Sequence, residues 1–300
     1  MNFPAETRTL DPEPVDGKAW LERDDIALPA VPLLPVVTRS VSLLTLLLQD
    51  SAVDLELASS VVGVDPGLAF GTLYLANRER KEDCDPIWQL PQAIVAAGRE
   101  ALELLLQRCP RIESWKDPAA RARAGKLAED AVVRACIMHF LARELGSANP
   151  RKSYLCGLLF EVPALAQLSS PPVSQTALLS MMCRTLPSGI VRAAVAKPTG
   201  NKEDGTSDPL VATALAADAV LRAKAATAES ADSIRQLTDR PFWLCWKQAD
   251  ALQRAALLNR CGDVAEWARA SLRGADPWAF MARLERCRPW EEQRWKACAH

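Results

Sequence analysis

The stretch 118–145, PAARARAGKLAEDAVVRACIMHFLAREL, decides the fold. Leu127, Ala131, Met138, Leu141 and Leu145 lie on one helical stripe, while Val132, Val133, Cys136, Ile137 and Phe140 fill the other faces. A helix that is apolar all round must be buried among other helices. The spacing therefore predicts a central helix over 118–145, with the segment 155–168 packed near it. Asp117-Pro118 marks its start, because Asp accepts free N–H groups at an N-cap and Pro at the first helical position forgoes no hydrogen bond. The same dipeptide precedes apolar-periodic runs at 65–66, 208–209 and 276–277.

Composition points the same way. Nearly half of the 300 residues are apolar, glycine and aromatic residues are few, and Ala and Leu dominate the periodic segments, which favours helix over strand. The expected fold is all-α. Residues 1–25 are rich in Pro and acidic side chains without a period and read as a flexible tail. Residues 26–228 read as one helical domain, and 229–300 as a helical extension carrying six of the nine tryptophans. The break at 197–209, KPTGNKEDGTSDP, reads as an exposed loop.

Several functions are disfavoured at this level. The net charge is −1, with Lys and Arg scattered among Asp and Glu, so no basic stripe is offered to nucleic acid. The longest apolar runs, such as VSLLTLLL (41–48), are too short to span a bilayer. The start MNFPAETR has neither the basic nor the apolar region of a secretory signal, and a cytoplasmic location is expected. Nine cysteines, never spaced C-x-x-C, read as small buried apolar residues in a reducing compartment, not as zinc ligands or disulfides. VVGVDPG (61–67) lacks both G-x-G-x-x-G and a P-loop lysine. Ser59-Ser60 and Ser169-Ser170 have no His to act as base.

Leu28-Pro29 with Pro32, then VDPGLAFGTLYLAN (64–77), then IWQLPQAIVAAGREALELLL (87–106), form an ordered series. Asp65, Pro66, Leu68, Leu75, Ala76, Asn77, Ala93, Ile94 and Gly98 carry it. It continues through Gly157-Leu158-Leu159, LPSGIVRAAVA (186–196) and LVATALAADAV (210–220). This series resembles the HDOD family, the HD-related output domains of bacterial signalling proteins. The resemblance implies an N-terminal helical lobe and a degenerate HD-like lobe, related to metal-dependent phosphohydrolases but generally without their metal ligands. It also implies action through another signalling protein, with no catalytic residue, no cofactor and no membrane insertion.

An HD site needs His and Asp ligands from several helices to hold metal and activate water. By comparison with that pattern the first histidine falls at Asp130, the His-Asp pair at Phe160 and Glu161, and the last aspartate at Asp218. The later histidines fall near Ala196 and Lys197. Two readings stand for the surviving carboxylates. Asp130, Glu161 and Asp218 could form an oxygen-rich metal site in a residual phosphohydrolase, or the old cavity could sense a small anion or nucleotide. Alternatively they are structural, with Asp130 paired to Arg134 and Asp218 to Arg222 at the i, i+4 spacing. Of the two histidines, His139 reads as a helix residue turned away from Asp130, and His300 carries no signal. Asn77 reads as a left-handed C-terminal cap, or else as the holder of a loop that presents a binding surface. Trp243 with Trp246, and Trp267 with Ser271 and Leu272, share helix faces and read as bundle core or as an interface.

Overall fold

The computed structural model describes residues 33–50, 53–80, 84–146, 148–169, 174–195, 209–225 and 251–273, with Phe280 and Leu284. The helices are α1 (Thr38–Gln49), α2 (Leu55–Gly63), α3 (Pro66–Asn77), α4 (Leu90–Ala97), α5 (Arg99–Arg108), α6 (Pro118–Leu145), α7 (Pro150–Leu159), α8 (Val162–Leu168), α9 (Gln175–Thr185), α10 (Ser188–Val195), α11 (Pro209–Ala225) and α12 (Ala251–Arg273). Among the described residues the β structure is a single bridge, Val36 with Arg111. The fold is all-α.

Helix starts follow capping chemistry. Asp65, Asp117 and Asn149 each precede a Pro and accept N–H groups of the first turn. Asp85-Pro86 is different: it opens an extended stretch, and α4 begins later, at Leu90. The segment expected as one element over 155–168 is two helices. Pro163, which has no N–H to continue a helix, sits in the first turn of α8, and α7 ends at Leu159.

Helices α1 to α5 pack mainly among themselves, with α4 against α2 and α3 and α1 against α2 and α5. The second group is built on α6, which packs along α7 and against α8 and α11, while α10 lies against α7 and α11. α3 joins the groups by touching α7, α8 and α9. α12 packs on α6 and belongs to the same compact unit, which runs from Pro32 onward. The expected boundary at 228–229, the tail 1–25, Arg222's side chain and the loop 196–208 lie outside the described residues, as do Trp243, Trp246, Trp278, Trp290 and Trp295. Trp267 is buried on α12 and stacks on Phe280 at 5.3 Å.

Two contacts fix this arrangement. A Cβ on Gly157 of α7 would stand 2.6 Å from Ala135 Cα and 2.7 Å from Ala135 N of α6, so the absence of a side chain sets how closely these helices approach. Around Asp65, the stretch before α1 is bolted to the start of α3. Its Oδ1 accepts from Gly67 N and Leu68 N, each at 3.0 Å, and its Oδ2 accepts from Val37 N at 2.8 Å. A Cβ on Gly67 would meet the Pro35 carbonyl at 2.5 Å. Next to this lock, Glu113 caps α1 from a distant loop, accepting from Thr38 N at 2.9 Å and Thr38 Oγ1 at 2.6 Å.

Asn77 is the last residue of α3, and the residue after it, Arg78, is in the right-handed helical region, so the left-handed cap is not formed. Its side chain instead holds the loop before α4. Nδ2 donates to the Leu73 and Ile87 carbonyls, and Oδ1 accepts from Ile87 N at 2.8 Å. The glycine that does take a positive φ here is Gly98, at 76°, between α4 and α5.

Two mid-helix glycines, Gly157 and Gly125, are expected to respond in opposite directions. Gly157→Ala forces the α6–α7 backbones apart and costs about 2–3 kcal/mol. Gly125→Ala, where a Cβ meets nothing within 4 Å, gains up to about 1 kcal/mol from helix propensity. Urea unfolding of both variants checks this. A second expectation concerns Asp65. Burial, outweighing the hydrogen bonds from Leu68, Val37, Gly67 and Ser40, pushes its carboxyl from 3.8 up to about 6. Between those values the folded chain holds a proton that the unfolded chain has released, so this contribution is complete below about pH 4 and is lost as pH rises through 6. The unfolding free energy of the wild type relative to Asp65→Asn should therefore fall by up to about 3 kcal/mol between pH 4 and 7, as read by denaturant titration.

Candidate functional site: a buried arginine between two carboxylates

The run 131–142 of α6, AVVRACIMHFLA, contains one charged residue, Arg134. It is 4% exposed. A guanidinium cannot give up its charge by deprotonation in a protein, so burying it requires acceptors. Two arrive from other helices. Glu161, in the turn between α7 and α8, accepts from Nη1 at 2.5 Å, and Asp218 of α11 accepts from Nη2 at 2.9 Å. The Phe160 ring lies over the guanidinium, with its centroid 4.1 Å from Cζ, a cation–π contact. Arg134 Nε is buried without a hydrogen-bond partner.

Two of the three carboxylates expected at former ligand positions thus converge, on a cation supplied by the chain itself. Asp130 does not join them. It accepts from Lys126 Nζ at 2.8 Å in an exposed i, i+4 pair. The pairing read from sequence is corrected at Asp130: Arg134 serves Glu161 and Asp218 instead. Asp218 takes Arg134, and the side chain of Arg222, its other expected partner, lies outside the described residues. Arg134 projects toward α7 and α11, both of which pack on α6, whereas Lys126 lies one turn before Asp130 on the outer side. Sequence reading missed Arg134 as the centre, although a lone charge in a fully apolar run is the signal that marks it.

Among the described residues no three His, Cys, Asp or Glu side chains stand together as a metal-holding group. Glu161 and Asp218 face the fixed positive charge of Arg134, which opposes the entry of a divalent cation between them. Phe160, expected from the sequence at the position of a ligand histidine, presents its ring face to Arg134.

His139 is buried, and it meets Tyr154 edge-on at 6.5 Å. Tyr154 Oη donates to the Gly63 carbonyl at 2.9 Å, tying α7 to α2. The cysteines divide. Cys109, Cys136, Cys156 and Cys261 are buried as expected, and burial pushes the Cys109 thiol up to about 12. Cys84 and Cys183 are exposed, contrary to the expectation for cysteines as a set.

The ion triad gives a double expectation. Arg134→Met strands the buried Asp218 and the partly buried Glu161 and costs about 3–5 kcal/mol, while the triple variant Arg134→Met/Glu161→Gln/Asp218→Asn removes all three charges and recovers a large part of that loss. Equilibrium unfolding of the two variants beside the wild type reads the difference.

The family model for the HDOD domain matches residues 31–186. No curated protein matches the chain. Among solved structures, the chain is similar to the MmoQ response regulator from Methylococcus capsulatus str. Bath, at 17% identity over 75% of this chain and 97% of that one, with a TM-score of 0.54. A crystallised fragment of that response regulator aligns at 17% identity over 68% of this chain and 91% of its own, with a TM-score of 0.50. At this identity the structural likeness speaks to the fold, and the family model, spanning just over half of the chain, speaks to descent. The chain belongs to the HDOD domain family.

Proposed function

We propose that this protein is a non-catalytic signal-transduction module, an output or adaptor domain that acts in the cytoplasm by binding another signalling protein. The observation that carries the reading is Arg134, whose guanidinium lies between Glu161 and Asp218 where a hydrolase of the HD type would place metal. A phosphohydrolase of that kind needs an open cation site and an activated water. Here the charge at the centre is a side chain already paired with two carboxylates. The family supports a signalling context, and the name of the structurally similar MmoQ response regulator agrees with it. Among the described residues no helix is long and apolar enough to cross a membrane.

The test is calorimetric titration of metal-stripped protein with Mn²⁺ and Mg²⁺ beside an Asp218→Ala variant, followed by phosphodiester turnover assays. The expected outcome is no binding heat up to millimolar metal and no turnover. Micromolar binding that disappears in Asp218→Ala, with turnover, would establish the residual hydrolase in place of the adaptor. In parallel, proteins captured from the source cells are purified and titrated back. A reconstituted complex with a receiver-, kinase- or cyclase-bearing protein is the positive result.

A further inference from the structure

A cavity of about 240 Å³ opens on a different face of α6 from Arg134, between α1, α2 and α12. Its base is apolar and buried: Val61 from α2, Ala128 and Val132 from α6, and Phe280. The charged groups of its lining are matched within the protein. Glu129 of α6 stands 3.9 Å from Arg269 and 4.0 Å from Arg273 of α12, and Arg39 of α1 has a partner of its own. A charged ligand would have to compete with these pairings at the mouth or carry its charge down to apolar walls, which is costly. The lining therefore selects against charge of either sign.

Gly125 supplies an independent observation. It sits inside the 28-residue helix α6, where glycine is the worst helix former after proline. Gly157 has a packing reason to be glycine. Gly125 has none within the protein, since a Cβ there would meet no atom within 4 Å. It lines the cavity, and its missing side chain leaves the backbone of α6 open to that space. Close approach of a ligand to the backbone is one of the uses that glycine serves. Size supplies a third. An apolar cavity of about 150 Å³ is enough to hold benzene, and drug-sized molecules take about 300–1,000 Å³. This cavity falls between the two.

We infer that this cavity is a binding site for a small neutral apolar molecule, larger than benzene and smaller than a drug-sized ligand, seated on Val61, Ala128, Val132 and Phe280 with its flank against Gly125. Burial of its apolar surface supplies the affinity. The inference does not rest on the adaptor reading, because the cavity lies apart from Glu161, Asp218 and Arg134. Phe280 and the lining part of α12 lie beyond residue 186, where the family match ends. The ligand thus touches both the family core and the part of the chain that follows it.

The test is isothermal titration of the full chain with 1-octanol as the neutral probe, and with octanoate and octylamine as its anionic and cationic counterparts of equal length. The variants are Gly125→Leu, which takes up room in the cavity, and Gly125→Ala as its milder form. The expected result is one site per chain for octanol, at least tenfold tighter than for either charged probe. Gly125→Leu loses at least tenfold for octanol. Gly125→Ala loses at least twofold while resisting urea better than the wild type, a combination that general loosening of the fold does not produce. Octanoate or octylamine binding as tightly as octanol overturns the neutral assignment. Wild-type octanol affinity in both variants, or no saturable binding of any probe, overturns the site.

Discussion

The close approach of two backbones at Gly157 is the constraint on which the rest of this structure depends. With no Cβ in the way, α7 lies against α6 at Ala135, the residue beside Arg134. That contact carries the end of α7 to the flank of α6. Phe160 and Glu161, which follow α7 directly, are thereby delivered to the guanidinium. α11, packing on the same pair of helices, brings Asp218 from the other side. The cluster at Arg134 is thus a product of helix packing.

On the proposed reading, the chemistry of the centre amounts to a side-chain cation standing where an HD hydrolase would place a metal ion. A metal ion brings a higher charge, open coordination positions and bound water. A guanidinium brings a single charge, a fixed planar fork of donors and no coordination position. It satisfies the carboxylates that a metal would otherwise need, and it does so with covalent attachment to the central helix. What remains is a polar core that specifies how α6, α7 and α11 come together.

How much of this was legible in the sequence varies with the range of the interaction. The central helix was legible because its apolar pattern is local and long, and the N-caps at Asp65 and Asp117 because the dipeptide carries its own mechanism. The break between α7 and α8 was there to be read in Pro163. Asn77 could not be assigned from its neighbours, since its decisive partner is the backbone of Ile87 across a loop. The same holds for Arg134. Local spacing offers Asp130 one turn away, but the partners that matter stand 27 and 84 residues further along the chain. Glu113 as the cap of α1 is a third case, 75 residues from the helix it completes.

The ionic contacts of this molecule fall into two populations that solvent treats unequally. The Arg134 triad is largely enclosed, with Arg134 and Asp218 buried and Glu161 partly so. The contacts that bring α12 to α6, Arg260 with Glu144 and Arg269 and Arg273 with Glu129, involve partly or largely exposed partners. Mobile ions screen such pairs over a distance of about 8 Å at physiological ionic strength. Ionic strength therefore acts as a selective agent on this fold. Raising it weakens the electrostatic part of the α12 docking, leaving Trp267, Val264 and Leu258 to hold that helix by their buried faces, while the polar core at Arg134 is left as it was.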